Sequence, residues 1–486
     1  MLLIEWDHLV LARGKKTLSH PFSGEIKSGE KWWVSGWSGS GKSTFLDVLA
    51  GRLFPHQGKI RVHVPGQVQL VERDYRFDRW VRQSFLYYQQ RYQSQDAERA
   101  PKLWEVLQGQ VKPLDTVDDR SIDLPSMRFD PQTFQAGCDL FQLNHLLHHP
   151  IVSLSNGETR RALLALSWMR HPKVLLLDQP FVGLDVPTRQ LLKETLSTLS
   201  QAVVLICDAS DRPTNFDQEW RFDAGKVFKN PTTPLEEPPK RTLPDLSRWP
   251  RHQESYSTIF QLTNVKVQYG EKSILQDIHW TVKPGETWAL LGANGSGKST
   301  LLSLLAADHP QAYQNDITLF DRKRGTGESI WDIKKRIGLV SPEIHLFVDK
   351  SSPVWKIIGS GFFDATGLFR SLSGEQKDRI QQVATWVSLE NKLSDRLQDL
   401  SQSEQRLALL ARALVKNPEV LILDEPCQGL DHSQMTFFRD LVSDITLKLN
   451  KTLIYVSHYA EEIPACVQHE LVLGHGKIEY KGFRRI

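Results

Sequence analysis

The sequence predicts an α/β protein made of two tandem domains, each built on a mostly parallel core sheet. Three observations carry that prediction. A glycine-rich phosphate-loop pattern occurs twice, each time between an apolar strand pattern and a helix start, VSGWSGSGKST and LLGANGSGKST. Each copy is followed by an LSxxE run, LSNGE from Leu154 and LSQSE from Leu400. Each then reaches an apolar run closed by an acid, VLLLD at Asp178 and VLILD at Asp424. Such continuous apolar runs bounded by turns are expected of buried parallel strands.

The length agrees, since 486 residues exceed what one hydrophobic core organises. Between the repeats the pattern breaks. Pro231, Pro234, Pro238, Pro239, Pro244 and Pro250 alternate with charges and permit neither a long helix nor a central strand. The expected division is therefore a domain at 1–229, an extended linker at 230–256 and a second domain at 257–486. The repeat is of whole domains, not of solenoid units. VVLICD and LIYVSH supply the strand after each acid.

Composition excludes several classes. With 60 basic and 57 acidic residues, net +3, no global charge draws the chain to nucleic acid or anionic lipid. The four cysteines, Cys138, Cys207, Cys427 and Cys466, form no CxxC pair and read as reduced cytosolic thiols. No apolar run approaches the ~20 residues that span a bilayer. The start MLLIEWDHLV carries acids among its apolar residues and reads as a strand rather than a signal peptide. Any membrane role is expected to come through a partner.

The loops define the chemistry. Gly36, Trp37, Ser38, Gly39, Ser40, Gly41, Lys42, Ser43 and Thr44 form the first. Gly292, Ala293, Asn294, Gly295, Ser296, Gly297, Lys298, Ser299 and Thr300 form the second. Successive backbone N–H groups in such a loop bind phosphates, and glycine permits the close approach. Lys42 or Lys298 reaches the outer phosphates. Ser43 with Asp178, or Ser299 with Asp424, is the expected Mg²⁺ pair. The predicted ligands are ATP and Mg²⁺.

These motifs resemble those of tandem ATP-binding cassette (ABC) ATPases over nearly the whole chain. The resemblance implies two P-loop NTPase domains, each with an antiparallel β-subdomain and a helical subdomain beside the core sheet. It also implies head-to-tail pairing of the two cassettes, each ATP lying between one phosphate loop and the other cassette's signature. The register suits this: Ser155 precedes Asp178 by 23 positions (178 − 155), and Ser401 precedes Asp424 by the same 23 (424 − 401). LSGEQ from Leu372 looks more like the family signature, but Ser373 lies 51 positions before Asp424 (424 − 373). It reads as an exposed segment of the helical region.

Under the resemblance the copies are unequal. A Glu after the strand acid polarises the attacking water. Glu425 stands there in the second half and Gln179 in the first. An amide is a far weaker proton acceptor, although a tolerated variant with residual turnover is the blander reading. The γ-phosphate histidine is His458; the aligned residue is Asp208. Tyr269 takes the place of the adenine-stacking aromatic and Arg13 its counterpart, which can also stack on a base. Gly157 keeps the signature glycine that Ser403 replaces. Paired head to tail, Lys42, Gln179, Asp208 and Arg13 face Ser401 and Ser403. Lys298, Asp424, Glu425, His458 and Tyr269 face Ser155 and Gly157. One hydrolytic and one ATP-holding site are expected. The Gln that joins ATP to the helical region is Gln89 or Gln90 in the first half, with Glu343 nearest in the second. Asp185 and Asp431 match residues of a dimer-crossing loop.

The second half, AYQNDITLFDRKRGTGESIWDIKKRIGLVSPEIHL with ILDEPCQGLD and VSHYAEEIPAC, resembles the ModF subfamily, associated with molybdate transport and also labelled photorepair protein PhrA. That implies a cytoplasmic energising subunit, peripheral on the inner face of the plasma membrane when integral-membrane permease subunits are present. A soluble ribosome-associated cassette pair is the first alternative, with the short proline-rich linker against it. A DNA-acting clamp is the second, for which Arg322-Lys323-Arg324 and Lys334-Lys335-Arg336 offer basic runs. A solvated face is the plainer reading of those runs. Among the 14 tryptophans, Trp32, Trp33 and Trp288 are expected in or near the core. For Trp104, Trp331 and Trp355, core packing is preferred over docking.

Overall fold

A computed structural model describes residues 1–13, 16–37, 39–72, 100–111, 129–151, 154, 156–182, 184, 186–223, 225–232, 249, 256–270, 272–293, 295–427, 430, 432–457 and 460–485. The chain divides into two compact units, Met1–Glu236 and Glu237–Ile486.

In the first unit a six-stranded sheet runs in the order Lys226–Lys229, Gln218–Asp223, Lys31–Gly36, Ala202–Ile206, Val174–Asp178, Val68–Val71. Only the outermost pair, Gln218–Asp223 with Lys226–Lys229, is antiparallel. Phe22–Lys27, Leu2–Val10 and Gln57–Val62 make a separate antiparallel sheet. Leu103–Leu107, Pro131–Leu140 and Asn156–Trp168 are its helical part.

The second unit repeats the plan. Its six-stranded sheet runs Ile337–Val340, Val420–Asp424, Thr452–Val456, Thr287–Leu291, His469–Gly474, Lys477–Phe483, again with one antiparallel edge pair. Lys272–Val282, Phe260–Tyr269, Asp316–Leu319 and Arg322–Lys323 form the antiparallel sheet. Val354–Ser360, Gly374–Trp386 and Gln402–Leu414 are the helical counterpart.

The two-residue period of a strand explains why the runs before each acid are apolar at every position. Val174 and Leu176 enter one core with Trp6, Phe22 and Phe45, whereas Leu175 and Leu177 enter another with Leu103 and Leu163. In the second unit Val420 and Ile422 face the core of Phe260 and Trp280. Leu421 and Leu423 face that of Ile380 and Leu410. Each such side chain, fully withdrawn from water, contributes about 1.5–3 kcal/mol. Both faces are covered, so a polar substitution on either side costs burial.

Helix starts follow side-chain caps. Asp130 accepts from the N–H groups of Gln132 and Thr133, with Pro131 at the first helical position. Ser373 and Gln376 cap one another, as do Ser401 and Glu404. The segment LSGEQ is thus an exposed helix start, and both LSxx[EQ] runs in this unit are capping boxes.

Trp32 and Trp288 are buried, each with its indole N–H donating to a glutamate two residues earlier, Glu30 or Glu286, at 2.9 Å. Trp33 is half-buried, as are Trp104 and Trp355. Trp331 departs from the expected core role, standing 60% exposed at the start of the helix Ile330–Arg336. Trp249, inside the stretch expected to be linker, is buried against Trp386 in the second unit. Its indole N–H donates to Asn417 Oδ1 at 2.8 Å. The same oxygen accepts from Lys451 Nζ at 2.8 Å. All four cysteines are buried and unpaired. Among the described residues no helix is long and apolar enough to cross a membrane.

Lys451 is 2% exposed, and burial pulls its pKa from the ordinary 10.5 down to about 7, against the opposing pull of Glu419. Below pH 7 both folded and unfolded chains hold this proton. Between pH 7 and 10.5 only the unfolded chain does, so this group makes stability rise with pH across that window. Lys451→Met has no ionisable group at this place. The denaturation midpoint of wild type minus variant should therefore grow from pH 7 to pH 10, and a constant gap would contradict the depressed pKa.

Candidate functional site

Each phosphate loop joins the end of a central parallel strand to a helix, Lys31–Gly36 to Lys42–Leu49 and Thr287–Leu291 to Lys298–Leu305. The two agree glycine by glycine. Gly36 and Gly292 have φ of +125° and +145°, Gly39 and Gly295 +75° and +79°, Gly41 and Gly297 +104° and +101°. The first glycine of each loop is also sterically required. A Cβ on Gly36 would lie 2.0 Å from Phe222 O, and one on Gly292 would lie 2.3 Å from Leu473 O.

Neither helix has a side-chain cap, so its first N–H groups are offered to a ligand, where the helix dipole favours an anion. Lys42 Nζ donates to Gly36 O at 2.5 Å and Trp37 O at 2.7 Å. Lys298 Nζ donates to Gly292 O at 2.7 Å and Ala293 O at 3.0 Å. Both ammonium groups lie across their own loops. Ser43 and Ser299 are exposed, while Thr44 and Thr300 turn into the core. Ser40 Oγ and Ser296 Oγ are buried in matching places without a hydrogen-bond partner among the described residues. Trp37, Ala293 and Gly295 complete the described loop, while Ser38 and Asn294 lie outside the described residues.

Asp178 and Asp424 close their strands, paired in register with Ile206 and Val456. The next residue is the informative one. Gln179 and Glu425 have φ of +47° and +45°. Their N–H groups donate to Ile206 O at 2.9 Å and Val456 O at 3.0 Å. A left-handed conformation is uncommon for such residues and costs of order 1–3 kcal/mol unless its surroundings impose it. Here the strand hydrogen bond holds it in both units, although the following Pro180 or Pro426 would by itself favour an extended backbone. The backbone is therefore the same in both units and only the side chain differs. Gln179 Oε1 is buried without a hydrogen-bond partner among the described residues.

One strand along, Asp208 is exposed at the start of the short helix Ala209–Asp211. His458 lies outside the described residues, between buried Ser457 and the helix Ala460–Glu462. Tyr269 ends its strand half-buried, with its hydroxyl 2.7 Å from His309 Nε2. Arg13 sits in a two-residue strand, Ala12–Arg13.

Ser155 is outside the described residues; Leu154 before it is buried, and the helix Asn156–Trp168 follows. A Cβ on Gly157 would meet Thr188 Cγ2 at 3.4 Å, an ordinary contact. Packing within its own unit does not demand glycine there. Ser403 is buried with its hydroxyl 3.1 Å from Ser401 Oγ. Ser401 also bonds Glu404 in its capping box, with Oγ to Oε2 at 2.8 Å. Glu343 lies in the helix Pro342–Phe347. Gln89, Gln90, Asp185 and Asp431 lie outside the described residues.

The basic runs are partly paired, with Arg322, Lys323 and Lys335 exposed. Arg324 forms a buried ion pair with Glu328 at 2.6 Å. Lys323 pairs with Asp316 at 2.9 Å and Lys334 with Asp308 at 2.5 Å. Arg336 lies over the rings of Tyr256 and Phe320.

Two mostly parallel sheets, each with a phosphate loop at one strand end and an acid at the end of the next strand but one, define a double P-loop nucleotide-binding protein. The family model described as ABC transporter matches residues 19–182 and 275–428. The chain belongs to the ABC transporter ATP-binding family, as a tandem-cassette ATPase. It is 35% identical to the ABC transporter ATP-binding protein ModF of Escherichia coli K12, covering 92% of this chain and 91% of that one. An uncharacterized ABC transporter ATP-binding protein of Schizosaccharomyces pombe is 30% identical over 93% of this chain and 94% of its own. A further uncharacterized one, YmeB of Lactococcus lactis, is 34% identical over 46% of this chain and 86% of its own.

Alanine at Gly292 should lower the melting temperature and abolish nucleotide binding by the second unit, with strain of about 1–3 kcal/mol before the clash is relieved. Alanine at Gly157 should leave the melting temperature unchanged or slightly raised. Thermal denaturation of both variants with and without MgATP checks the contrast.

Proposed function

We propose that this chain is the energising subunit of a small-solute transporter, with one site that hydrolyses ATP and one that holds it. The supporting observation is that Gln179 and Glu425 occupy one backbone geometry, held by the same strand hydrogen bond, with different side chains. A carboxylate there takes the proton of an attacking water; an amide orients water but accepts its proton poorly.

On this reading the cassettes pair head to tail. Lys298 and the second loop's N–H groups grip the outer phosphates. Ser299 and Asp424 hold Mg²⁺, a hard-oxygen donor set suited to that ion, which when bound neutralises charge on the phosphates. Glu425 is the base, His458 contacts the γ-phosphate, and Tyr269 stacks on adenine. Ser155 and Gly157 close the site from the first cassette. Lys42, Ser43 and Asp178 hold the second nucleotide against Ser401. The freedom for a side chain at Gly157 within its own unit supports a reason for glycine that lies outside it.

The ModF likeness points to an oxyanion of the molybdate type as cargo and to integral-membrane permease subunits as partners. The buried pairing of Arg324 with Glu328 takes one arginine out of these runs, which weakens the case for a DNA-acting clamp.

ATP turnover tests the division. Glu425→Gln should lower kcat by ~10²–10⁴-fold, while Lys42→Ala keeps a substantial fraction. Equal losses would defeat the assignment of one active site. The crossed pairing is tested by exchanging signature residues: Gly157→Ser should depress turnover with little change in melting temperature, and Ser403→Gly should not. Co-purification with membranes rather than ribosomes checks the partner class, and enrichment of ribosomal proteins alone would sink the permease reading.

A further inference from the structure

We propose that His309 is a positioning residue for the nucleotide base in the second cassette, holding the Tyr269 ring in the attitude from which it stacks on adenine. The inference rests on the reading of Tyr269 as the base-stacking residue.

Tyr269 is the last residue of its strand, and Gly270 after it turns the chain with φ of +56°. Its ring packs partly against the core of Val265 and Leu275, which leaves its far end, the phenol, to be held. His309 holds it, with Nε2 2.7 Å from the phenol oxygen and the ring centroids 6.0 Å apart. The imidazole is 4% exposed. Its other nitrogen, Nδ1, accepts the N–H of Gln311 at 3.2 Å and caps the short helix Pro310–Gln314.

A nitrogen that accepts carries no proton, so the proton of the neutral ring sits on Nε2 and donates to the Tyr269 oxygen. Burial lowers the pKa of His309 and so favours that neutral form.

The backbone beside Tyr269 is braced by the same segment. Gln311 Nε2 donates to Gln268 O at 2.8 Å, and Gln268 N donates to Gln311 Oε1 at 3.2 Å. Residues 268 and 269 are therefore tied to residues 309 and 311. That segment is the direct continuation of the helix Lys298–Leu305, which begins at the phosphate-loop lysine. One short span of chain thus sets both the phosphate grip and the base platform. Such prior ordering lessens what binding must immobilise. Arg13, at the matching place in the first cassette, has no phenol to be held this way.

The test measures ATP turnover by the full chain, and its inhibition by inorganic tripolyphosphate, which lacks a base. His309→Ala should raise KM for ATP ~3–10-fold, leave kcat within about twofold, and leave tripolyphosphate inhibition unchanged. Tyr269→Phe keeps the ring and loses the bond, so it should reproduce the KM change. Adding His309→Ala to Tyr269→Phe should then change little more, because both remove one interaction. An unchanged KM in Tyr269→Phe overturns the proposal even where His309→Ala folds poorly. Equal weakening of ATP and tripolyphosphate in both variants overturns it too, as that marks general damage. Tyr269→Ala with an unaltered KM would instead defeat the base-stacking reading beneath it.

Discussion

The constraint on which the rest of each unit depends is the burial of its central parallel strands on both faces. Val174–Asp178 and Val420–Asp424 send alternate side chains into two separate cores. Their backbones are locked between neighbours by parallel ladders. A strand held this firmly has one soft point, its carboxyl end, where the ladder stops. The acid, the left-handed residue after it, and the turn of the neighbouring phosphate loop all occur at that edge. Rigidity behind the edge keeps these groups in register.

That architecture was legible because it repeats and because its period is strict. The apolar runs, the glycines of each loop and the acid that ends each strand all have local causes readable from residue type and spacing. The signature runs were less transparent. LSxxE and LSxxQ are also helix-capping boxes, so Ser373 and Ser401 cap helices by the same bonds. Their resemblance to each other reflects helix initiation as much as any ligand. Only the distance to the strand acid separated the two.

Other features were hidden because they depend on contacts between distant residues. Nothing in the proline-rich stretch marks Trp249 as anchored, since its acceptor, Asn417, is 168 positions away. His309 follows a helix as an unremarkable histidine, and its partner Tyr269 comes 40 positions earlier. Trp331 shows the opposite failure. Its residue type suggested a core place, yet its position at a helix start leaves it in solvent. In the basic runs the sequence could not show that Arg324 alone is buried, paired with Glu328, while Arg322, Lys323 and Lys335 stay exposed.

If Glu425 is the base and Gln179 its counterpart, as proposed, the loop of the first site stays intact for a separate reason. The two tasks draw on different parts of the same edge. Holding a triphosphate uses backbone N–H groups, left-handed glycines and one lysine, and the first unit keeps all of them in the geometry of the second. Speeding hydrolysis requires a group that interacts more strongly with the transition state than with bound ATP. On the proposed reading a carboxylate at the residue after the strand acid is such a group, because it gains a proton only as the water attacks. Exchanging Glu for Gln there removes that gain while leaving the backbone, its strained torsion and the ground-state grip untouched. On the proposed reading, the left-handed turn at Gln179, which presents no carboxylate, keeps the shape of a nucleotide-holding pocket rather than the machinery of turnover.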